Sequence, residues 1–416
     1  MKKSLVGRIF FFTVAVFAFL LTAEQGWSCT SVMVSGKATK DGRPIMFKNR
    51  DTGNTDNLMT VVQGEKYKYI GIAAAKDLAP RDIWAGHNEV GFAIMNTLSY
   101  NLNKESELNG SNEGVIMRRA LEICATLKDF ENMLDTMPKP LNTSANYGVM
   151  DAQGGCAYYE TDNKGYVKFD TNDPKVAPNG YLIRTNFSYT GVPERSKGTE
   201  RYLAISDFML RAAFSGKIDY DYMLRNIPRN LTHGLTKMNL YDYMPADDST
   251  PKIFPFRDFI PRYQSACTVL VQGVKRGESP LLTVSWTIVG SPMTTVAIPL
   301  CILPSGKFPE VVQRGKNGYS ELCHDGLELK KVLFPLEIGS NTDYIDLSKL
   351  INKQGTGIMQ KIIPIENEIK SRGLDLITKA REKGKFDKGM DDYYSWVDNF
   401  VRDSYATNFK LYSNEK

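Results

Sequence analysis

Apolar positions along this chain recur first at the spacing of strands. Thr30 to Val34 and Pro44 to Phe47 predict two short strands, and Lys40-Asp41-Gly42 between them predicts the turn of a hairpin. Further short apolar runs predict strands at 70–75, 91–95, 147–150, 157–161, 166–169, 181–185, 267–271, 282–288 and 295–303. Because helical stretches interrupt this series, the pattern up to about residue 303 indicates an α+β layered domain.

Helical spacing of apolar residues appears in the middle and at the end of the chain. Val115 to Leu134 carries it, and Thr126 with Asp129 predicts the cap of a second helix inside that span. Arg201 to Ala212 predicts another helix. The last part of the chain predicts helices from about residue 347, with amphipathic stretches at 366–383 and 391–401. We expect a main domain over residues 29–305 and an extension, residues 306–416, packed on it.

The first 28 residues have the pattern of a secretory signal. Three basic residues precede an apolar run at 9–21, which is shorter than the about 20 residues that cross a bilayer. Small residues at 26 and 28 suit a cleavage point before Cys29. We therefore expect residues 1–28 to be removed and the protein to be exported, to the periplasm or beyond the cell. An uncleaved anchor and a lipoprotein signal that acylates Cys29 are the alternatives.

The composition of the chain limits the classes of binding partner that we expect. Residues 1–28 contain three Lys or Arg and one Glu, so their removal takes the formal net charge from +5 to +3. This near balance gives no indication of nucleic acid or an anionic surface as partner. No later segment is apolar and long enough to span a membrane. We expect a small-molecule substrate, and the sequence leaves open whether the protein forms a homo-oligomer.

The sequence lacks the motifs that several common kinds of catalytic or binding site require. The chain has three histidines and no H-E-x-x-H, so no metal is expected, and it has no Gly-rich phosphate loop and no G-x-S-x-G, so no cofactor is expected. His87 is predicted to lie solvated in a turn, and His324 to be polar surface. Six scattered cysteines leave one or two disulfides open, with Cys124 and Cys301 predicted as buried small hydrophobes.

Cys29 is the residue with the clearest chemistry. As the first residue of a processed chain it would carry a thiol nucleophile and a free α-amine together. An α-amine has a pKa of about 7.7–8.0, which suits a general base near neutral pH. An N-terminal amine activating a nucleophile is an established arrangement.

Residues 29–51 resemble the start of the N-terminal-nucleophile (Ntn) amidohydrolases. The resemblance is strongest to the acyl-CoA:6-aminopenicillanic acid acyltransferase-like group (peptidase family C45), with choloylglycine hydrolases and penicillin V acylases as relatives. Three further segments are similar to motifs of these enzymes: Gly86-x-Asn88-Glu89-x-Gly91-Phe92-Ala93, Leu182-Ile-Arg-Thr-Asn186-Phe187 and Glu200-Arg201-Tyr202. The resemblance implies a four-layer αββα sandwich with a helical C-terminal extension, and places Cys29 on an inner strand.

The resemblance also implies roles for four other residues. Asp51 would hold the α-amine by a charge-assisted hydrogen bond. Asn186 would orient the amine or donate to the oxyanion, and Asn96 would be a second donor. Arg201 would act on the electrostatics of the nucleophile. A surface or turn position is the alternative for Asp51, Asn96 and Arg201.

The chain departs from its relatives at Lys48-Asn49-Arg50-Asp51, where the bile salt and penicillin V enzymes have R-N-x-D. Lys48 takes the Arg position and Arg50 lies two residues on, so both point to one face of a strand. Either cation would favour a thiolate at Cys29, although lysine lacks the guanidinium fork. The departure favours the acyltransferase-like branch.

These residues together predict an exported Ntn cysteine amidohydrolase that cleaves a linear, non-peptide C–N amide through an acyl-thioester. Two alternatives use the same fold: an acyl-transfer enzyme and a C69-type dipeptidase. A third is a non-catalytic surface protein anchored by a lipid on Cys29.

Overall fold

A computed structural model describes residues 28–103, 110–337, 339 and 341–411. The predicted signal, residues 1–28, therefore lies outside the described residues except for Ser28. The described strands are β1 (Ser28–Val34), β2 (Ile45–Asp51), β3 (Asn57–Gln63), β4 (Lys68–Ala74), β5 (Ala85–Asn88), β6 (Ala93–Leu98), β7 (Ala145–Met150), β8 (Cys156–Thr161), β9 (Tyr166–Asp170), β10 (Tyr181–Arg184), β11 (Ile253–Pro255), β12 (Ser265–Gln272), β13 (Val284–Val289), β14 (Ala297–Leu300) and β15 (Tyr344–Asp346). The α-helices are α1 (Glu113–Ile123), α2 (Leu127–Thr136), α3 (Thr199–Phe214), α4 (Tyr220–Asn226), α5 (Glu321–Leu333), α6 (Leu347–Leu350), α7 (Ile358–Lys383) and α8 (Lys388–Phe409).

Two antiparallel sheets form the centre of the fold. One has six strands in the order β10-β1-β2-β12-β13-β14, and the other has seven strands in chain order from β3 to β9. They pack face to face, and Gly148 on β7 lies against Met33 of β1. A Cβ there would lie 2.5 Å from Met95 Cε and 2.7 Å from Met33 Sδ. Glycine therefore lets the two sheets meet at this point.

Helices cover both outer faces of the paired sheets. Leu121 of α1 and Phe130 of α2 belong to a buried cluster with Tyr147 and Tyr159 of the seven-stranded sheet. Thr126 accepts from the Asp129 N–H and the Asp129 carboxylate accepts in return, so the predicted cap begins α2. Helices α3, α4 and α7 cover the six-stranded sheet through β10, β12 and β14. The predicted four-layer αββα sandwich is confirmed.

The C-terminal helices are fastened to the six-stranded sheet by a buried ion pair. Arg229 donates to both carboxylate oxygens of Glu366 on α7, at 2.9 and 2.6 Å, and Glu366 also accepts from the Ala297 N–H of β14 at 2.8 Å. Beside them, Gly373 of α7 lies against the Pro299 ring. The amphipathic stretches predicted at 366–383 and 391–401 fall inside α7 and α8, whereas α5 was not predicted.

Two histidines that were predicted to be solvated or at the surface are more buried than expected. His87 is not in a solvated turn: it lies on β5, 1% exposed, with Nδ1 2.7 Å from Ser285 Oγ of the other sheet. Strands on both sides of β5 bury it, and burial lowers the pKa of His87 to about 3. His324 is half-buried and stacks on Tyr319, with ring centroids 4.3 Å apart.

All six cysteines are free and buried. Cys124 follows α1 and Cys301 follows β14, both without exposure, as the apolar pattern predicts. Neither of the disulfides left open by the sequence forms. Among the described helices, none has the length and hydropathy that crossing a bilayer requires.

Candidate active site

Cys29 is the second residue of β1, the strand that lies second in the six-stranded sheet. It stands opposite Arg50 on β2, and Arg50 stands opposite Cys267 on β12. Residues directly opposite each other in an antiparallel pair point to the same face. The next pair, Ser31 and Lys48, continues this row, and Ser31 Oγ meets Tyr158 Oη of the other sheet at 2.8 Å. The Cys29 thiol therefore points between the two sheets, 7% exposed.

The backbone nitrogen of Cys29 is held by Asn186. Its N–H donates to Asn186 Oδ1 at 2.8 Å, and the same oxygen accepts from Ser28 Oγ at 3.0 Å. Asn186 Nδ2 donates to the Leu98 carbonyl at 2.9 Å, which fixes the amide plane. The strand β10 ends two residues earlier, so Asn186 lies at the edge beside the start of β1.

Arg201 reaches the same point from the first turn of α3. Its Nη1 donates to the Cys29 carbonyl and to Thr30 Oγ1, the latter at 2.8 Å, and its Nη2 donates to Asn186 Oδ1 at 2.8 Å. Gly198 before the helix has φ 85°, and a Cβ there would collide with the guanidinium. Burial lowers the pKa of Arg201 to about 9.

Lys48 and Arg50 provide two cations on the face of the thiol. Lys48 Nζ donates to Asn96 Oδ1 and to the Trp84 carbonyl, each at 2.7 Å. Arg50 Nη1 donates to Asn57 Oδ1 at 2.8 Å, and its guanidinium lies 4.7 Å from the Trp84 ring centroid. Both are almost fully buried, with neutral hydrogen-bond partners. Burial lowers the pKa of Lys48 to about 8, and the nearby thiol opposes that shift.

Asp51 lies on the opposite face of β2 from the thiol. It stands across from Ser28, its Oδ2 lies 3.1 Å from Arg262 Nε, and its Oδ1 accepts from Ser265 Oγ at 2.7 Å and from Asn49 Nδ2 at 3.0 Å. Burial raises the pKa of Asp51, opposed chiefly by Arg262. The Cys29 N–H is directed to Asn186, whereas Asp51 stands opposite Ser28, the residue before Cys29.

The predicted site residues differ in how they are placed relative to Cys29. Asn186 and Arg201 contact Cys29 directly, while Lys48 and Asn96 form a pair beside it. Asp51 lies behind the strand, within the charge field of Arg201.

Sequence reasoning missed Arg262, Ser265 and Trp84. Arg262 and Ser265 grip Asp51, and Trp84 contacts both Lys48 and Arg50. None of the three lies in a motif quoted for the resemblance, so no sequence signal marked them.

A thiol beside buried cations is suited to nucleophilic attack. Cations within a few ångströms favour the thiolate, which is the reactive form of cysteine. In the part of the chain that the structure describes, no three His, Cys, Asp or Glu side chains group closely enough to hold a metal ion. The chemistry available at this site is therefore that of the thiol, its neighbouring amides and the cations.

Comparisons with known proteins find one family model that matches part of this chain. Residues 38–207 match the model of the family described as acyl-coenzyme A:6-aminopenicillanic acid acyl-transferase. The matched range includes Lys48, Asp51, Asn96, Asn186 and Arg201, begins after Cys29 and ends before Arg262. No curated protein matches the sequence.

Solved structures with similar chains include three amide hydrolases. The N-acylethanolamine-hydrolyzing acid amidase orthologue of Caenorhabditis elegans is 16% identical with a TM-score of 0.36, covering 49% of this chain and 88% of the other. A variant of the conjugated bile acid hydrolase from Clostridium perfringens is 14% identical with a TM-score of 0.36, covering 66% and 92%. Penicillin V acylase from Agrobacterium tumefaciens is 12% identical with a TM-score of 0.35, covering 66% and 86%. Residues 38–207 of this chain are thus similar to the acyl-coenzyme A:6-aminopenicillanic acid acyl-transferase family.

Proposed function

We propose that this protein is an exported Ntn cysteine amidohydrolase whose mature chain begins at Cys29. The observation that carries the proposal is the contact of the Cys29 nitrogen with Asn186 Oδ1 at 2.8 Å, reinforced by Arg201 on the same oxygen. After removal of residues 1–28 that nitrogen becomes the α-amine, and an acceptor that orients it is already in place.

In the acylation step the Cys29 sulfur attacks the carbonyl carbon of a linear amide. The thiol proton passes to the α-amine, and the C–N bond breaks as the α-amine donates a proton to the leaving nitrogen. The products of this step are a free amine and an acyl-thioester on Cys29. Lys48 and Arg50 lie on the face of the thiol and place positive charge near the attacking sulfur.

In the deacylation step water attacks the thioester carbonyl. The α-amine takes a proton from the water, the C–S bond breaks, and the sulfur recovers its proton as the carboxylic acid leaves. Charge develops on the carbonyl oxygen in both steps, so amide N–H donors are needed beside it. Asn96 Oδ1 accepts a hydrogen bond from Lys48 Nζ. The oxygen of the amide is therefore directed to Lys48, and its NH₂ group points away from Lys48. We assign Asn96 as an oxyanion donor.

Acyl transfer is the second candidate function. The description of the matched family names an acyl-transferase. In that reaction an acceptor amine replaces water and attacks the same thioester, with the α-amine taking its proton. The two functions share the acyl-thioester and differ in whether an added amine competes with hydrolysis.

A covalent acyl probe tests the nucleophile. The mature protein is incubated with an activated acyl ester, and its intact mass is compared with that of Cys29→Ala. Cys124→Ala is the matched control, because Cys124 is equally buried but lies with α1 under the other sheet. We expect one acyl mass on the parent and on Cys124→Ala, and none on Cys29→Ala. Equal labelling of Cys29→Ala would overturn the assignment. A separate incubation with an added amine distinguishes the two functions, because in acyl transfer the amine competes with water for the acyl-thioester.

A further inference from the structure

We propose that helix α5, which lies outside the family match, completes the active site, and that its Lys330 is a positioning residue for Asp51. This inference rests on the proposed function. It assigns part of the C-terminal extension to the catalytic centre, where sequence reasoning expected only a segment packed against the core.

Lys330 points from α5 into the protein rather than to solvent. It is 3% exposed, its Nζ donates to the Tyr263 carbonyl at 3.0 Å, and the same atom lies 4.7 Å from the Tyr263 ring centroid. Its charge interacts with Asp51 and with Cys323. Burial lowers the pKa of Lys330 to about 8, and Asp51 opposes that shift.

The carbonyl that Lys330 holds belongs to the turn that grips Asp51. In this turn, residues 262–265, the Ser265 N–H donates to the Arg262 carbonyl and the Arg262 N–H donates to Ser265 Oγ, both at 3.1 Å. Arg262 and Ser265 are the two side chains that contact the Asp51 carboxylate at 3.1 and 2.7 Å. Lys330 therefore holds the turn through the Tyr263 carbonyl. It also adds a second cation near Asp51, besides Arg262.

A second contact links α5 to the thiol side of β2. The Asn57 N–H donates to Cys323 Sγ at 3.4 Å, and Asn57 Oδ1 accepts from Arg50. Helix α5 thus supports both charged residues at the end of β2, Arg50 through Cys323 and Asp51 through Lys330. Helix α5 is thus connected to two adjacent site residues, each through one intervening segment: to Arg50 through Asn57 and to Asp51 through the turn 262–265.

Energetics argue against a merely structural lysine. Burying an ammonium costs several kcal/mol unless charge and hydrogen bonds compensate. The neighbours of this position include the Tyr263 and Phe334 rings, whose centroids lie 5.1 Å apart, so an apolar side chain would pack there at lower cost. A cation at this place is explained by its effect on Asp51.

Three variants test the role: Lys330→Met, Lys330→Arg and Lys331→Met. Lys331 is the next residue of α5, pairs with Glu328 and is exposed, so it controls for loss of a lysine from the helix. The measurements are kcat and KM on the amide found to be cleaved, the pH profile of kcat/KM, and the rate of Cys29 alkylation by iodoacetamide against pH.

We expect Lys330→Met to lower kcat about tenfold or more with KM within twofold, because a misplaced carboxylate disturbs the reacting groups more than substrate binding. Arg262, Arg201, Arg50 and Lys330 all favour the ionised form of Asp51. Removing the Lys330 ammonium therefore moves the acid limb of kcat/KM to higher pH. Lys330→Arg restores both values in large part, and Lys331→Met leaves both unchanged.

Failure of this inference differs from failure of the proposed function. If the parent hydrolyses amides but Lys330→Met loses only thermal stability, with kcat and both pH profiles matching Lys331→Met, α5 has no role at the site. If the parent shows no Cys29-dependent turnover, the proposed function fails. In that case a shift of the alkylation profile in Lys330→Met alone still supports the electrostatic coupling, and an unshifted profile refutes it.

Discussion

Replacement of Lys48 by Met tests whether a buried cation prepares the nucleophile. Met has a similar length and no charge, so the change removes the ammonium and keeps most of the packed volume. Lys48 is 1% exposed and acts on Cys29 through a medium that screens poorly. In general, an opposite charge close to an acid lowers the pKa of that acid by about 1–3 units. We expect the midpoint of Cys29 alkylation against pH to rise by at least about one unit.

The same substitution leaves two buried acceptors without their donor. Lys48 Nζ lies 2.7 Å from both Asn96 Oδ1 and the Trp84 carbonyl. An unsatisfied buried acceptor costs about 1–3 kcal/mol, so we also expect a lower melting temperature. Lys48→Arg keeps the charge, and Lys128→Met removes an exposed lysine as a control for reactivity of the other thiols.

The pH dependence gives the sign of the effect. Since the pKa of Lys48 is lowered to about 8, its ammonium is charged below that pH and loses its proton above it. The advantage of the parent over Lys48→Met in alkylation rate is therefore full at pH 6–7 and shrinks as pH rises through about 8. Equal rates for the two proteins at pH 6–7, with both folded, would refute the role of Lys48.

Three further outcomes follow from the site and the fold. Arg201→Gln removes donors to the Cys29 carbonyl and to Asn186, and we expect kcat to fall about 100-fold, measured on protein shown by mass to be processed. Glu366→Gln leaves Arg229 buried without a carboxylate. We expect the free energy of unfolding, measured with urea, to fall by about 3–5 kcal/mol, and the helical signal of α7 to be lost first. The cations facing Cys29 have neutral hydrogen-bond partners, so an N-acylglycine should have a higher kcat/KM than its uncharged N-acylglycinamide, and a preference for the amide would contradict the charge argument.

Local signals made part of the fold predictable. The hairpin of β1 and β2 needs only alternating apolar residues and a Lys-Asp-Gly turn, and the start of α2 needs only Thr126 and Asp129. Cys29 was identified from the predicted cleavage point, and Asn186 and Arg201 were identified by resemblance; the structure brings the three into contact. These residues are far apart in sequence, so their contact could be expected only from a known fold.

Long-range contacts explain what the sequence did not reveal. Ser265 lies 214 positions from Asp51, in a turn that no motif marks. Lys330 lies on a helix with an ordinary mixture of polar and apolar residues. His87 looked like a turn residue because glycine, asparagine and glutamate surround it, yet strands on both sides bury it. In each case the tertiary neighbours decide the environment, and they are set by sheet order.

N-terminal sequencing with intact mass of the protein purified after expression of the full chain examines the central claim most directly. The account requires a chain that opens on Cys29 with an unmodified amino group and a mass equal to residues 29–416. A first residue other than Cys29, or an added lipid mass on it, would leave no α-amine beside the thiol and would contradict the mechanism.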